Sequence, residues 1–153
     1  MYRKLFAIIN FYGGIVVKVA IIDIRGAGIG QSFIKKIRKE INDDVYIIAL
    51  GMNTCAASNM VRAGANIGIS GEKAICSFCT LKKIDSIIVP IGVLFNWSIT
   101  TEVSPLIAKS IFEMDCIKYI LPLQNHGIYI PGTRNLVIKD ILTEIIFDIK
   151  KRI

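Results

Sequence analysis

The stretch that most constrains this chain is residues 16–40, VVKVAIIDIRGAGIGQSFIKKIRKE. A β-branched apolar run reaches Asp23, glycines follow at Gly26, Gly28 and Gly30, and Ile29, Phe33, Ile34, Ile37 and Ile41 then recur at helical spacing. Lys35, Lys36, Arg38 and Lys39 occupy the opposite side. An unbroken Val/Ile run suits a strand buried on both faces, as in a parallel sheet. The periodic segment after it suits a helix with one face on that sheet. The glycines therefore stand where the carboxyl end of a strand meets the amino end of a helix. Residues without Cβ let backbone N–H groups approach a phosphate there, and the helix dipole favours the negative charge. Asp23, Gly26, Gly28, Ile29 and Gly30 are accordingly the first candidate ligand-binding residues. Asp23 has a structural use of equal weight, as a cap or as an acceptor for the glycine turn.

The rest of the chain repeats the alternation. Asn42, Asp43 and Asp44 make a turn, residues 45–50 read as a second buried strand, and together with the first helix they form a right-handed βαβ unit. Gly51 ends that strand; Asn53 and Thr54 are good amino-terminal caps for a helix reaching about residue 63, which Gly64 stops. Residues 65–70 read as a short third strand, and Gly71, Glu72 and Lys73 open another short helix. A strand over residues 85–91, a loop from Gly92 to Thr101, a helix capped by Ser104 and Pro105, and a strand over residues 117–121 follow. Residues 128–130 are expected to return antiparallel to that strand as an edge hairpin, and a last helix over residues 136–150 should cover the sheet. The fold class expected is α/β, a three-layer Rossmann-like, mostly parallel sheet with an antiparallel edge hairpin. Residues 1–15 read as an N-terminal extension joined at Gly13 and Gly14, and residues 16–153 as a single domain.

Composition narrows the function classes. The 153 residues are 53% hydrophobic and 20% charged, which describes a folded chain with a sizeable core. A net charge of +7 would suit a nucleic-acid partner, but the basic residues are scattered and no aromatics interleave with them, so nucleic acid is not the expected partner. The apolar start is interrupted by Lys18 before it could span a bilayer and lacks a small-x-small cleavage pattern, so no membrane segment is expected and the location expected is cytoplasmic. Cys55, Cys76, Cys79 and Cys116 are too few for a disulfide framework, and the Cys76/Cys79 pair lies inside a helix rather than at the helix start a redox motif needs. With His126 as the sole histidine, no metal site is expected.

The motifs locate a ligand more readily than they name it. The dinucleotide fingerprint is G-x-G-x-x-G, whereas this chain has G-x-G-x-G with Gln31 in the last position, and the acidic ribose partner expected at the end of the second strand is replaced by the run Leu50, Gly51, Met52 and Asn53. Asn53 or Thr54 could bond a ribose hydroxyl instead. No glycine-lysine-serine/threonine triplet follows Gly71. Ligands of such folds sit beyond the carboxyl ends of the strands, which adds Gly71 and Gly92 to the binding candidates. Glu72 and Glu102 are the candidate general acids or bases, although a carboxylate in a helix first turn is also stabilised by the dipole alone.

The runs KVAIIDIRGAGIG, IIALGMNTCAASNMVRAGANIGISGEKAI and VPIGVLFNWSITTEVSP together resemble a family of short bacterial Rossmann-like proteins of unknown function. Its pattern holds an Asp-Gly-Gln-Gly-Gly-Gly-Ile-Gly loop, a Gly-x-Asn segment, a Gly-Glu-Asn motif, and a Pro-Ile-Gly segment leading to Glu-x-x-Pro. Asp23, Gly26, Gly28, Ile29, Gly30, Gly51, Asn53, Gly71, Glu72, Pro90, Gly92, Glu102 and Pro105 match it, while Ile24, Arg25, Ala27 and Lys73 depart from it. The resemblance implies the fold and the place of the site, and no activity.

The function expected is that of a nucleotide- or dinucleotide-binding protein, with phosphate held at Gly26 to Gly30 and NAD(P) or another nucleotide as the ligand. A small enzyme acting on a phosphorylated metabolite through Glu72 or Glu102, and a non-catalytic homodimer formed through the last helix or the edge hairpin, are the alternatives.

Overall fold

A computed structural model of the chain describes residues 16–24, 28–95, 105–122 and 129–153. Among the described residues five strands, β1 (Val17–Asp23), β2 (Val45–Gly51), β3 (Ile67–Ser70), β4 (Ser86–Pro90) and β5 (Ile117–Leu121), form one sheet in the order β3-β2-β1-β4-β5. All four pairings are parallel, with Val17 to Asp23 running level with Val45 to Gly51. This is the Rossmann-like, three-layer architecture that the strand and helix alternation predicts.

The central strands are apolar because both their faces are covered. On one face Val19, Ile21, Ile47 and Ile88 pack with Phe33, Ile34 and Ile37 of helix α1 (Ile29–Ile41), Met60 of α2 (Thr54–Arg62), and Leu142, Ile145, Ile146 and Ile149 of α6 (Ile138–Lys150). On the other, Ala20, Ile22, Ile48, Leu50, Ile87 and Val89 pack with Ile75 and Phe78 of α3 (Glu72–Leu81), Val93 of the short α4 (Ile91–Leu94), and Ile107 and Ile111 of α5 (Pro105–Glu113). Right-handed crossovers require this split. Helices after β1 and β2 lie on one side as the chain moves outward, and those after β3 and β4 lie on the other as it returns past β1. Below the sheet the Arg38 guanidinium donates to the carbonyls of Asn42, Val45 and Gly64 at 2.7, 2.8 and 2.8 Å, tying α1 to the strand and helix ends there.

Two expectations are corrected. Among the described residues no antiparallel hairpin is formed: Tyr129 and Ile130 carry no strand, and Ile128 lies outside them. Pro131 and Gly132 follow at once and turn the chain, with the Thr133 amide and hydroxyl both donating to the Ile130 carbonyl. A three-residue apolar run has too few ladder bonds to compete with that turn. The loop expected after β4 starts instead with the single helical turn α4, which buries Val93.

Candidate functional site

Strand register sets the frame. Asp23 lies level with Gly51, and Gly51 with Ser70, so the carboxyl ends of β1, β2 and β3 form one row, with the end of β4 on the other side of β1. The chain reverses its direction across the sheet between β1 and β4. In open parallel sheets that reversal leaves a crevice between the two outgoing connections, here the β1–α1 and β4–α4 segments.

Two glycines on the β1 side do different work. Gly28 is the N-cap of α1 at φ 92, in the left-handed region, with open space where a Cβ would stand; only its backbone freedom matters. Gly30 is buried, and a Cβ there would lie 2.6 Å from Met60 Sδ and 3.1 Å from Asp23 Cβ, so its smallness lets α1 lie against α2 and the end of β1. Gly30 thus performs the close-packing role that the fingerprint gives its last glycine, one position earlier. The first backbone bond of α1 runs from the Ser32 amide to the Gly28 carbonyl, 2.9 Å. The amides of Ile29, Gly30 and Gln31 precede it and have no acceptor within the helix.

Asp23 takes one of those amides. It is 6% exposed, and its Oδ2 accepts from Gly30 N–H at 3.2 Å. A carboxylate on the first turn of a helix is stabilised by the positive dipole end and by the amide it satisfies. The capping use of Asp23 is therefore present, and the helix end already carries a negative group.

The other candidates divide by strand. Asn53, at the end of β2, caps α2: its Oδ1 accepts from Ala56 N–H at 2.8 Å, and Thr54 beside it is exposed. Gly71 caps α3 at φ 92, and its amide bonds the Gly51 carbonyl at 2.9 Å. Glu72 opens α3 at the outer end of the row, two strands or about 10 Å across the sheet from β1. It therefore stands apart from the crevice. Gly92 is exposed in α4, on the connection that leaves the end of β4. Gly26 and Glu102 lie outside the described residues.

One contributor was not foreseen. Lys36 of α1 donates to Thr143 Oγ1 of α6 at 2.6 Å, holding the two helices side by side. The start of α6 thereby reaches the glycine turn, where Gly28, Ile29, Ser32, Ile138 and Leu142 line a shallow depression of about 250 Å³. The apolar face of the last helix was visible in the sequence, but its neighbour across the sheet was not. A larger depression of about 610 Å³ lies elsewhere, between β5 and α6, and includes none of the predicted ligand residues.

Cys79 is buried, and burial pushes its thiol up to about 12, with Cys76 and Cys116 nearby adding to the shift. A thiol held protonated is a poor nucleophile. Among the described residues no three His, Cys, Asp or Glu side chains gather as a metal site, and no helix is long and apolar enough to cross a membrane.

Residues 18–153 match the family described as a domain of unknown function, DUF3842. No curated protein and no solved structure matches the chain.

Proposed function

This chain belongs to the DUF3842 family, and we propose that it binds a nucleotide or dinucleotide, with NAD(P) among the candidates, in the crevice at the carboxyl ends of β1 and β4. The observation that carries the reading is the coincidence of the reversal in strand order with a glycine-capped, 13-residue helix at the end of β1. Backbone amides there favour a phosphate. In this reading the phosphate rests on the amides of Gly26, Gly28 and Ile29, while Gly30 serves Asp23. Gly92 supplies the opposite wall, and Asn53 and Thr54 at the neighbouring strand end reach the sugar. Glu72 and Gly71 stand too far along the row to share in the phosphate seat.

Thermal unfolding of the full chain with NAD, NADP, ATP, GTP or FMN tests this. A ligand at about a hundred times its Kd stabilises the native state by about 2.7 kcal/mol, a rise of roughly 5–10 °C for a chain of this size. No rise with any of the five would sink the proposal. Asp23→Asn then reports on the seat itself. Removing a negative charge beside the bound phosphate should tighten binding, whereas weaker binding would place Asp23 on the ligand's hydroxyl groups instead.

A further inference from the structure

The face that the glycine-loop reading leaves unused is the β5 edge with the outer side of α6. We infer that two copies of this chain pair through it, β5 against β5 in antiparallel register, around a two-fold axis passing Tyr119.

The backbone supplies the first half of the argument. Ile117 N–H bonds the Asp85 carbonyl at 3.1 Å, so in the alternation along β5 residues 117, 119 and 121 address β4. Lys118 and Ile120 then direct their N–H and C=O groups outward. Among the described residues nothing pairs with that side of the strand. An edge of sequence IKYIL that no described residue pairs is a template for a further strand unless a charge guards it. Lys118 does not guard it: its ammonium is folded back onto the carbonyls of Met114 and Cys116 at 2.6 and 3.2 Å. An antiparallel mate centred on Tyr119 sets Lys118 opposite Ile120 of the second copy, an arrangement that closes four backbone bonds.

Side chains supply the second half. The outer stripe of α6 reads Glu144, Phe147 and Asp148 and is continued by its C-cap Lys151, whose ammonium lies over the Phe147 ring at 4.4 Å; with Tyr119, Ile120, Pro122 and Leu136 these residues line the 610 Å³ depression. Phe147 is 60% exposed at its centre. About an axis near Phe147, an antiparallel α6 from a second copy brings Glu144 against Lys151 twice over, with the two phenyl rings between the pairs. The stripe is thus complementary to itself, which an isologous contact requires. The same axis serves strand and helix, because Tyr119 donates its hydroxyl hydrogen bond to Asp148 and so stands level with the middle of the stripe.

Sedimentation velocity of the full chain over a range of concentrations, with Phe147→Glu, Glu144→Lys, Lys151→Glu and the double reversal Glu144→Lys/Lys151→Glu, decides the matter. The wild-type chain should approach twice 17.0 kDa. Phe147→Glu should be monomeric. Each single reversal should weaken pairing roughly tenfold or more, since symmetry counts every change twice, and the double reversal should recover it. All four variants alter exposed positions, and circular dichroism checks that each is folded. A wild-type monomer at high micromolar concentration, or a dimer indifferent to Phe147→Glu or to the single reversals, overturns the proposal.

Discussion

Gly30→Ala is the sharpest probe of the junction between β1, α1 and α2. The new methyl would stand 2.6 Å from Met60 Sδ, 3.1 Å from Asp23 Cβ and 3.2 Å from Asp23 Oδ2. Met60 is fully buried and cannot swing into solvent. Overpacking of this kind costs about 1–3 kcal/mol. Against it stands the better helix propensity of alanine, about 0.5–1 kcal/mol. The balance is a loss of roughly 1–2 kcal/mol, or a fall of about 2–8 °C in Tm for a chain of this length. Urea unfolding followed by circular dichroism would measure it. The attribution to Met60 is checked by repeating the change in a Met60→Ala background. That background is itself less stable by about 2–5 kcal/mol, but within it Gly30→Ala should be close to neutral, giving a coupling of about 1–2 kcal/mol. A higher Tm for Gly30→Ala in the wild-type background would refute the reasoning. It would mean that helix propensity governs the position and that α1 does not press on Asp23 and Met60.

Two further outcomes follow from the same geometry. Asn53→Ala removes the oxygen that accepts from Ala56 N–H at 2.8 Å and should cost about 1 kcal/mol of stability by urea titration; a nucleotide affinity changed beyond tenfold in that variant would show a ligand contact as well as a cap. Tyr119 is raised from 10.0 to about 12, first by burial and then by its hydrogen bond to Asp148. A group whose folded value lies above its unfolded one contributes stability that is complete below pH 10.0 and is lost as pH rises through about 12. Tyr119→Phe should therefore flatten the alkaline fall in urea midpoint across that window, and an unchanged slope would count against the contact.

The parts of this fold that were readable in advance are those in which one local pattern has one physical solution. Buried parallel strands need unbroken apolar runs, and β1, β2 and β4 fall within a residue or so of their predicted bounds. A helix with one wet face needs the 3.6-residue period, and Phe33, Ile34, Ile37 and Ile41 are the residues α1 buries, together with Gly30. Asn53 was recognisable as a cap for the same reason: the choice of residue answers a nearby backbone need. What the sequence did not display is everything decided at long range. The position of α6 beside α1 rests on the packing of Leu142, Ile145, Ile146 and Ile149 in the cluster that holds Phe33, Ile34 and Ile37, with the Lys36–Thr143 hydrogen bond spanning more than a hundred residues at its rim. The residues that line the glycine-turn depression from that helix, Ile138 and Leu142, carry no local sign of it. Tyr129 and Ile130 carry no strand because Pro131 and Gly132 turn the chain at once, with the Thr133 amide on the Ile130 carbonyl.

Asp23 shows how a single residue constrains the chemistry of the crevice. Its carboxylate lies on the amide of Gly30 inside the first turn of α1, where a phosphate would otherwise find both a donor and a favourable field. At a separation of about 6 Å and an effective dielectric constant near 20–40, two unit negative charges repel by about 1.5–3 kcal/mol, comparable to what one charge-assisted hydrogen bond returns. A phosphate seated on the remaining amides therefore gains less from this helix end than from one without a carboxylate. Its affinity must come from the rest of the molecule, from the base and sugar against the Gly92 side and the end of β2. A nucleotide should consequently bind here far more tightly than inorganic phosphate. Equal affinity for the two would mean that the crevice contributes nothing beyond the helix terminus.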